Sequence, residues 1–119
     1  MWTFKQSNGI FSGNGKKFIG WAGHGQGKNN PGAQEEKGIG PLPRGKYTMD
    51  RIEDSPHTGP FTIVLSPDTG NEMFGRSDFR IHGSAIEHPE LSSDGCIILL
   101  RLYRELVWNS GDHNLEVVL

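Results

Sequence analysis

The chain has 119 residues, which is enough for one domain (residues 1–119) with a single core and too few for two. Its 12 basic and 14 acidic residues give a net charge of −2, so composition provides no basic surface for nucleic acid. The longest apolar run, Ile97–Leu100, is too short to span a membrane, and the first residues lack the apolar segment of a signal peptide. The lone cysteine excludes an internal disulfide and a zinc site built from several thiolates, but it is a candidate nucleophile.

Short apolar stretches separated by Gly, Pro, Asn and Asp clusters predict a chain made mostly of β-strands. Alternation predicts a strand over Trp2–Gln6, which ends at the hairpin signal Asn8-Gly9, and a second strand over Phe18–Ala22. The polar, glycine-rich stretch Gly23–Gly40 predicts a long loop. Further strands are predicted at Lys46–Ile52, Phe61–Leu65, Phe79–His82, Cys96–Leu99 and Leu115–Leu119.

One helix is predicted, over Arg101–Asn109. Leu102, Leu106 and Val107 share one face at helical spacing, and Gly111 follows as a stop signal. The helix comes directly before the last predicted strand. The pattern therefore predicts a mostly β fold with one helix near the C-terminus.

A histidine and the lone cysteine stand at the two ends of one predicted loop, Gly83–Gly95. The strand before the loop delivers His82 to its mouth, and Cys96 begins the next apolar stretch, so the loop can bring the two side chains within reach. This pair suits cysteine catalysis, because the thiolate is the nucleophile and an adjacent imidazole lowers the pKa of the thiol. Gly95 lacks a side chain, so backbone N–H groups there can face a substrate oxyanion.

Other interpretations of these residues stay open. A buried structural cysteine with a surface histidine is the simplest alternative. A metal site formed by His82, His88 and Cys96 is conceivable, although its spacing matches no recognisable pattern, and the zinc signature of deaminases requires a second cysteine. The remaining histidines stand in polar turns, where we expect them to be solvated: His24, His57 and His113.

The segments Ile81-His82-Gly83 and Ser93-Asp94-Gly95-Cys96 together resemble the catalytic motif of the L,D-transpeptidases, the cysteine enzymes of peptidoglycan. The chain is more similar still to the compact branch found as type VI secretion L,D-transpeptidase effectors, and this resemblance covers nearly the whole sequence. It implies the L,D-transpeptidase β-sandwich, with one helix before the last strand. The other matching blocks are Lys28–Pro31, Gly40–Tyr47, Gly75–Ser77, Trp108–Asp112 and Leu115–Val118.

The resemblance also implies a role for each motif residue. Cys96 would attack the carbonyl of the diaminopimelate–D-Ala bond of a stem tetrapeptide, and His82 would take the thiol proton and later protonate the leaving amine. The Gly83 carbonyl would orient the imidazole, and the N–H groups of Gly95 and Cys96 would stabilise the oxyanion. Water or a D-amino acid would then resolve the thioester, giving L,D-carboxypeptidase action or exchange. No metal and no cofactor is implied.

Two positions depart from the pattern of the broad family. Asp94 stands where larger members carry a second histidine, and Ile98 replaces an arginine that helps them hold substrate. A substrate carboxylate must therefore meet another cation. Arg76 and Arg80, on the approach to the histidine, are the candidates, and Ser93 of the motif is assigned to substrate binding as well.

The predicted function is a cysteine-dependent, peptidoglycan-modifying antibacterial effector that acts on stem peptides. Its expected partners are a secretion apparatus and a cognate immunity protein, without nucleic acid and without membrane insertion. Since the chain has no apolar leader, we expect it to be made in the cytoplasm and delivered to the periplasm of target cells. The alternatives are a phage-borne wall enzyme released at lysis and a non-catalytic peptidoglycan-binding module with an inert cysteine.

Overall fold

A computed structural model describes residues 1–85 and 87–119; Ile86, within the predicted loop Gly83–Gly95, lies outside the described residues. The described part of the chain contains nine strands, one α-helix and three short 3-10 turns. In chain order the strands and the helix are β1 (Trp2–Lys5), β2 (Ile10–Gly13), β3 (Lys16–Ile19), β4 (Trp21–Ala22), β5 (Gly45–Ser55), β6 (Gly59–Pro67), β7 (Arg80–His82), β8 (Ile97–Ile98), α1 (Arg101–Asn109) and β9 (Asn114–Val118). The 3-10 turns are Gly25–Gly27, Pro31–Ala33 and Pro89–Leu91.

All the strands belong to one sheet, which curls until it is nearly closed. Its order is β3-β2-β1-β9-β5-β6-β7-β8-β4. β1 lies parallel to β9 and β7 lies parallel to β8, whereas the other neighbours are antiparallel. The predicted mostly β fold, with its helix near the C-terminus before the final strand, is confirmed. No helix within the described residues is long and apolar enough to cross a membrane.

An aromatic cluster fills the core under the first three strands and ties them to the helix. Trp2 and Phe4 alternate inward on β1 and are fully buried. The Trp2 ring packs 5.5 Å from that of Phe11 and 6.2 Å from that of Phe18, measured between centroids. Phe18 in turn stacks on Tyr103 of α1 at 4.4 Å. Each such buried side chain contributes about 1.5–3 kcal/mol, so this half of the fold rests on apolar burial.

The structure corrects two predicted boundaries at the N-terminal end. Ile10–Gly13 is a strand that the sequence pattern missed. It lies between two turn signals, and Phe11 is its single fully buried residue, so its own residues show no alternating pattern. The predicted strand Phe18–Ala22 is divided at Gly20. A Cβ at Gly20 would lie 2.2 Å from the Ile98 carbonyl oxygen, so the chain passes too close to β8 there for any other residue.

The helix has the predicted bounds but a different inward face. Arg104 and Val107 are its buried residues, whereas Leu102 is 62% exposed and Leu106 39% exposed. The predicted face of Leu102, Leu106 and Val107 is therefore wrong. The physical reason is that the buried guanidinium of Arg104 donates hydrogen bonds to backbone carbonyl groups of neighbouring segments, which turns that side of the helix towards the core.

Candidate active site

His82 ends β7, and Cys96 comes directly before β8, which begins one residue after the predicted strand start, so the two residues lie side by side. The parallel register of β7 and β8 pairs Ile81 with Ile97, and both are fully buried. Successive side chains of a strand point to opposite faces, so Arg80, His82 and Cys96 share the other face. The Arg80 backbone N–H donates to Cys96 Sγ at 3.3 Å, which places the sulfur beside β7.

The imidazole of His82 is held in one orientation by the backbone next to it. His82 Nδ1 lies 2.8 Å from the Gly83 carbonyl oxygen. Because a carbonyl can only accept, Nδ1 carries the proton and Nε2 keeps its lone pair. Burial lowers the pKa of His82, the bond to Gly83 opposes that shift, and the charges of Arg104 and Arg80 lower the pKa further. The lowered pKa favours the neutral imidazole, whose Nε2 lone pair can accept a proton.

The thiol of Cys96 is protonated in the resting protein. Burial raises its pKa to about 11, although the bond from the Arg80 N–H acts in the opposite direction. Cys96 Sγ also lies 3.9 Å from the Asp78 carbonyl oxygen, to which the S–H group can donate. This corrects the expectation of a lowered thiol pKa. His82 is neutral, and among the described residues it makes no hydrogen bond to Sγ that would offset the burial.

His82 and Cys96 line one cleft of about 360 Å³, together with His57 and Thr58 from the connection between β5 and β6. A second cavity, of about 470 Å³, begins on the Gly83 side and is also lined by His82, His57 and Thr58. The imidazole thus borders both cavities, and the cysteine faces one of them. A substrate chain that enters one cavity and leaves through the other would pass the two side chains.

Arg76 is buried and its guanidinium is engaged by backbone oxygens. Nη1 donates to the carbonyl oxygens of Gln34 at 2.6 Å and Pro41 at 2.8 Å. Nη2 donates to those of Gly40 at 2.9 Å and Asp94 at 3.1 Å. These bonds fasten the 23–40 loop and the turn before the cysteine to one side chain. This placement differs from the predicted contact with a substrate carboxylate, since the donors that would make it are already committed.

Ser93 and Gly95 shape the turn before the nucleophile. The side chain of Ser93 is fully buried, which leaves no surface for the predicted substrate contact. Its Oγ accepts from the N–H groups of Gly23 at 2.8 Å and Gly95 at 3.1 Å, and donates to the Cys96 carbonyl oxygen at 2.5 Å. The Gly95 N–H is thus engaged and does not face the cleft as an oxyanion donor. The residue must still be glycine, because its φ is +134° and a Cβ would lie 2.5 Å from Arg76 Nη2.

Arg80 is the predicted cation that the structure brings to the cleft beside Cys96. Its Nε lies 3.0 Å from Glu53 Oε1, and its Nη1 donates to the Asp78 carbonyl oxygen at 3.1 Å. The side chain is about a quarter exposed, so part of the guanidinium faces solvent. Arg80 thus lines the cleft beside Cys96 while it is paired with Glu53.

Arg104 is a residue of the site that sequence reasoning missed, because its charge assigned it to the solvent side of the helix. It is nearly fully buried and donates to the carbonyl oxygens of Leu99, Phe61 and Pro60. A Cβ at Gly83 would lie 3.0 Å from Arg104 Nη1, so the guanidinium packs against the backbone that orients the imidazole. Arg104 acts as a support behind the histidine.

Two of the histidines expected in solvent have structural contacts instead. His24 Nδ1 donates to the Ser93 carbonyl oxygen at 2.8 Å, and its side chain is only 27% exposed. His113 stacks on Trp108 at 3.9 Å. His57 is exposed, as predicted, but it lines the catalytic cleft.

The structure does not assemble the alternative metal site. Within residues 1–85 and 87–119, no group of three His, Cys, Asp or Glu side chains is arranged to hold a metal ion. His88 is exposed on a separate turn, where its Nδ1 lies 3.4 Å from Glu90 Oε1.

Comparison with known proteins supports one family. The family model of the Tlde1 domain matches residues 16–118, which is most of the chain. The searches of curated proteins and of solved structures found no match to this chain. The family comprises type VI secretion effectors of L,D-transpeptidase-like character, which implies a secretion apparatus, an immunity protein and action in target cells. With this match over nearly its full length, the chain belongs to the Tlde1 domain family.

Proposed function

We propose that this protein is a cysteine enzyme that cleaves or exchanges the terminal D-Ala of peptidoglycan stem tetrapeptides. The observation that carries the proposal is the shared cleft of Cys96 and His82, with the imidazole oriented by the Gly83 carbonyl. Family membership supports the substrate class, since L,D-transpeptidase-like chemistry acts on these peptides. A thiol and a basic imidazole are the groups that acyl transfer requires.

The first step forms an acyl-enzyme. Cys96 Sγ attacks the carbonyl carbon of the diaminopimelate–D-Ala bond while its proton passes to His82 Nε2. The tetrahedral intermediate then collapses, the C–N bond breaks, and the imidazolium returns the proton to the leaving D-Ala amine. Water or the amine of a D-amino acid then attacks the thioester carbonyl while His82 takes its proton. The C–S bond breaks, and the imidazolium returns the proton to the Cys96 thiolate.

The resting ionisation states favour proton transfer during attack over a preformed ion pair. Burial raises the pKa of Cys96 and lowers that of His82, so neither group is charged before substrate arrives. Charge then develops only in the transition state. A nearby N–H donor is most effective at that point.

The donor that we assign to the oxyanion is the Cys96 N–H. Of the two amides named by the family resemblance, that of Gly95 is bonded to Ser93, whereas that of Cys96 makes no hydrogen bond to any described residue. Ser93 would act as a positioning residue, since its Oγ bonds the Gly95 N–H and the Cys96 carbonyl, the groups on either side of the peptide that carries this donor. Arg80 would bind a carboxylate of the substrate beside the sulfur.

Either outcome removes tetrapeptide donors that cross-linking needs, which is how the enzyme would harm a competitor's wall. The test is mass spectrometry of purified muropeptides after incubation with the protein, with and without added D-methionine. We expect loss of the terminal D-Ala without the additive and its replacement by methionine with it. The Cys96→Ala variant is the control and should leave every mass unchanged. Muropeptides that bind the parent protein but keep their masses would favour the non-catalytic binding module instead.

A further inference from the structure

A charged recess adjoins the catalytic cleft, and the proposed reaction does not use it. The recess has a volume of about 330 Å³ and is lined by residues that include Lys37, Gly75, Arg76, Ser77, Phe79 and Asp94. We call it the Lys37 recess. Ser77, Phe79 and Asp94 also line the cleft that holds Cys96, so the two spaces are adjacent and share a wall. A substrate held at the cysteine can therefore extend a branch into the recess.

Lys37 is the cation of this region whose donors remain available. Arg76 donates to four backbone carbonyl groups, and Arg80 is paired with Glu53. Lys37 is exposed, and no carboxylate of the described residues lies within 4 Å of its Nζ. A Cβ at Gly75 would lie 3.9 Å from that Nζ, so the ammonium group stands over bare backbone with open space beside it.

Asp94 supplies the opposite charge to the same recess. Its side chain is 81% exposed, and the His24 imidazole lies beside it, with Nδ1 3.8 Å from Asp94 Oδ1. The carboxylate borders both the recess and the cleft, on the residue two before the nucleophile. A cavity that presents an ammonium and a carboxylate, with the ring of Phe79 between cleft and recess, suits a ligand that carries both charges itself.

We propose that the Lys37 recess binds a zwitterionic α-amino acid group, with its carboxylate at Lys37 and its ammonium at Asp94. The inference rests on the proposed function, because it assigns a subsite to that reaction. Two sources could supply this chemistry. One is the free side-chain end of diaminopimelate in the stem peptide, and the other is a free D-amino acid that resolves the thioester.

The test compares three tetrapeptides that differ only in the side chain of the third residue. These are the diaminopimelate peptide, the same peptide with its side-chain carboxylate amidated, and the lysine peptide, which keeps the ammonium alone. We expect Lys37→Ala to lower kcat/KM about tenfold more on the diaminopimelate peptide than on the other two, the size of one charge-assisted hydrogen bond. Lys37→Glu should reverse the preference in favour of the lysine peptide. Lys17→Ala, another exposed lysine, is the matched control and should alter no preference.

The role of Asp94 is tested with a further peptide, in which the side-chain nitrogen of the third residue is acetylated. Asp94→Asn should weaken binding of the diaminopimelate and lysine peptides more than binding of the acetylated peptide, whose side-chain nitrogen is neutral. The two sources are separated by kinetics. A Lys37→Ala loss confined to the KM of an added D-amino acid assigns the recess to that acceptor, whereas a loss in peptide hydrolysis assigns it to the stem peptide.

Calorimetry measures the preference for zwitterionic ligands in the absence of turnover. The three peptides and free D-alanine are titrated into Cys96→Ala, with and without the added change Lys37→Ala. Equal effects of Lys37→Ala on all ligands, in kinetics and calorimetry alike, would overturn the recess proposal. If the parent protein processes none of the peptides but calorimetry still shows the preference, the recess proposal is supported and the proposed reaction is contradicted.

Discussion

The long strands and the catalytic strands of the sheet are stabilised in different ways. β5 and β6 pair from Tyr47–Pro67 to Ser55–Gly59, with two irregularities in the register, and their ladder uses the backbone groups of eleven and nine residues. β7 and β8 pair over two positions only. Around them, the guanidinium of Arg76 donates to carbonyl oxygens of the adjoining loops. That of Arg104 donates to the carbonyl oxygen of Leu99 after β8. It also reaches those of Pro60 and Phe61, in a stretch of β6 for which the register gives no partner in β5.

This difference has a physical reason. A strand that ends early leaves its last side chains at a cleft, where a nucleophile and a base can meet substrate. The loops that follow it carry backbone carbonyl groups that must still be satisfied once buried. A buried arginine has five donors in a fixed plane and can bond several such groups at once. The end of the sheet that carries His82 and Cys96 therefore depends on buried polar contacts, and the other end on apolar burial and strand pairing.

Cys96→Ala gives the largest expected effect and separates activity from stability. Removing the nucleophile should lower kcat/KM at least about 10³-fold. The free energy of unfolding should change by less than about 1 kcal/mol, since a small side chain is replaced by a smaller one. Phe11→Ala, in the aromatic cluster, should cost about 3–5 kcal/mol and leave kcat of the folded fraction unchanged. Muropeptide processing by Cys96→Ala at the parental rate would contradict the assignment of the nucleophile.

Arg76→Ala tests the buried arginine that fastens the cysteine turn. The change leaves four carbonyl oxygens without their donor, so we expect the free energy of unfolding to fall by about 3–5 kcal/mol. Urea denaturation measures this loss. Arg51→Ala, at an exposed position of β5, is the control and should stay within about 0.5 kcal/mol of the parent. Parental stability with a raised KM would instead restore Arg76 to the substrate-binding role first predicted for it.

His82→Asn tests the ionisation of the catalytic end through the pH dependence of stability. Burial lowers the pKa of His82 in the folded protein, so the folded state holds the neutral form. Below pH ~6.5 the unfolded chain binds more protons at this residue, and stability falls as the pH drops towards the folded pKa. The parent should therefore lose more stability than His82→Asn between pH 8 and pH 5, measured by urea denaturation at each pH.

The same shift predicts the acid limb of the activity profile. Because the base is the neutral imidazole, the acid limb of kcat/KM should lie below the ordinary histidine pKa of about 6.5. An acid limb above that value would contradict the lowered pKa of His82.

Glu53→Gln has the smallest expected effect. The Glu53–Arg80 pair is partly exposed, so its loss should change the free energy of unfolding by less than about 1 kcal/mol. Without the competing carboxylate, Arg80 should bind substrate better, and KM should fall a few-fold at constant kcat. Glu35→Gln, at an exposed position of the 23–40 loop, is the matched control. A raised KM would show that Glu53 holds Arg80 in its binding position.

The spacing of apolar residues along the sequence predicted those helices and strands that are specified by their own consecutive residues. The helix Arg101–Asn109 has the predicted bounds, and the short strand that ends at His82 begins within one residue of its prediction. Ile10–Gly13 was missed because a central strand of four residues, with a single fully buried side chain, is specified by its two neighbours and not by its own alternation. The extension of β5 to Ser55 likewise depends on pairing with β6.

The sequence by itself determined the fold class, the family and the pairing of an Ile-His-Gly segment with a Gly-Cys segment. Only the tertiary structure decided the roles of Arg76, Ser93 and Arg104, which contact residues as far away in the chain as Gln34, Gly23 and Pro60. It also decided the burial that raises the pKa of the Cys96 thiol and lowers that of the His82 imidazole. The physical reason is that periodicity reports which residues face the core. The burial, bonding and ionisation of a polar side chain depend instead on groups that distant segments bring to it.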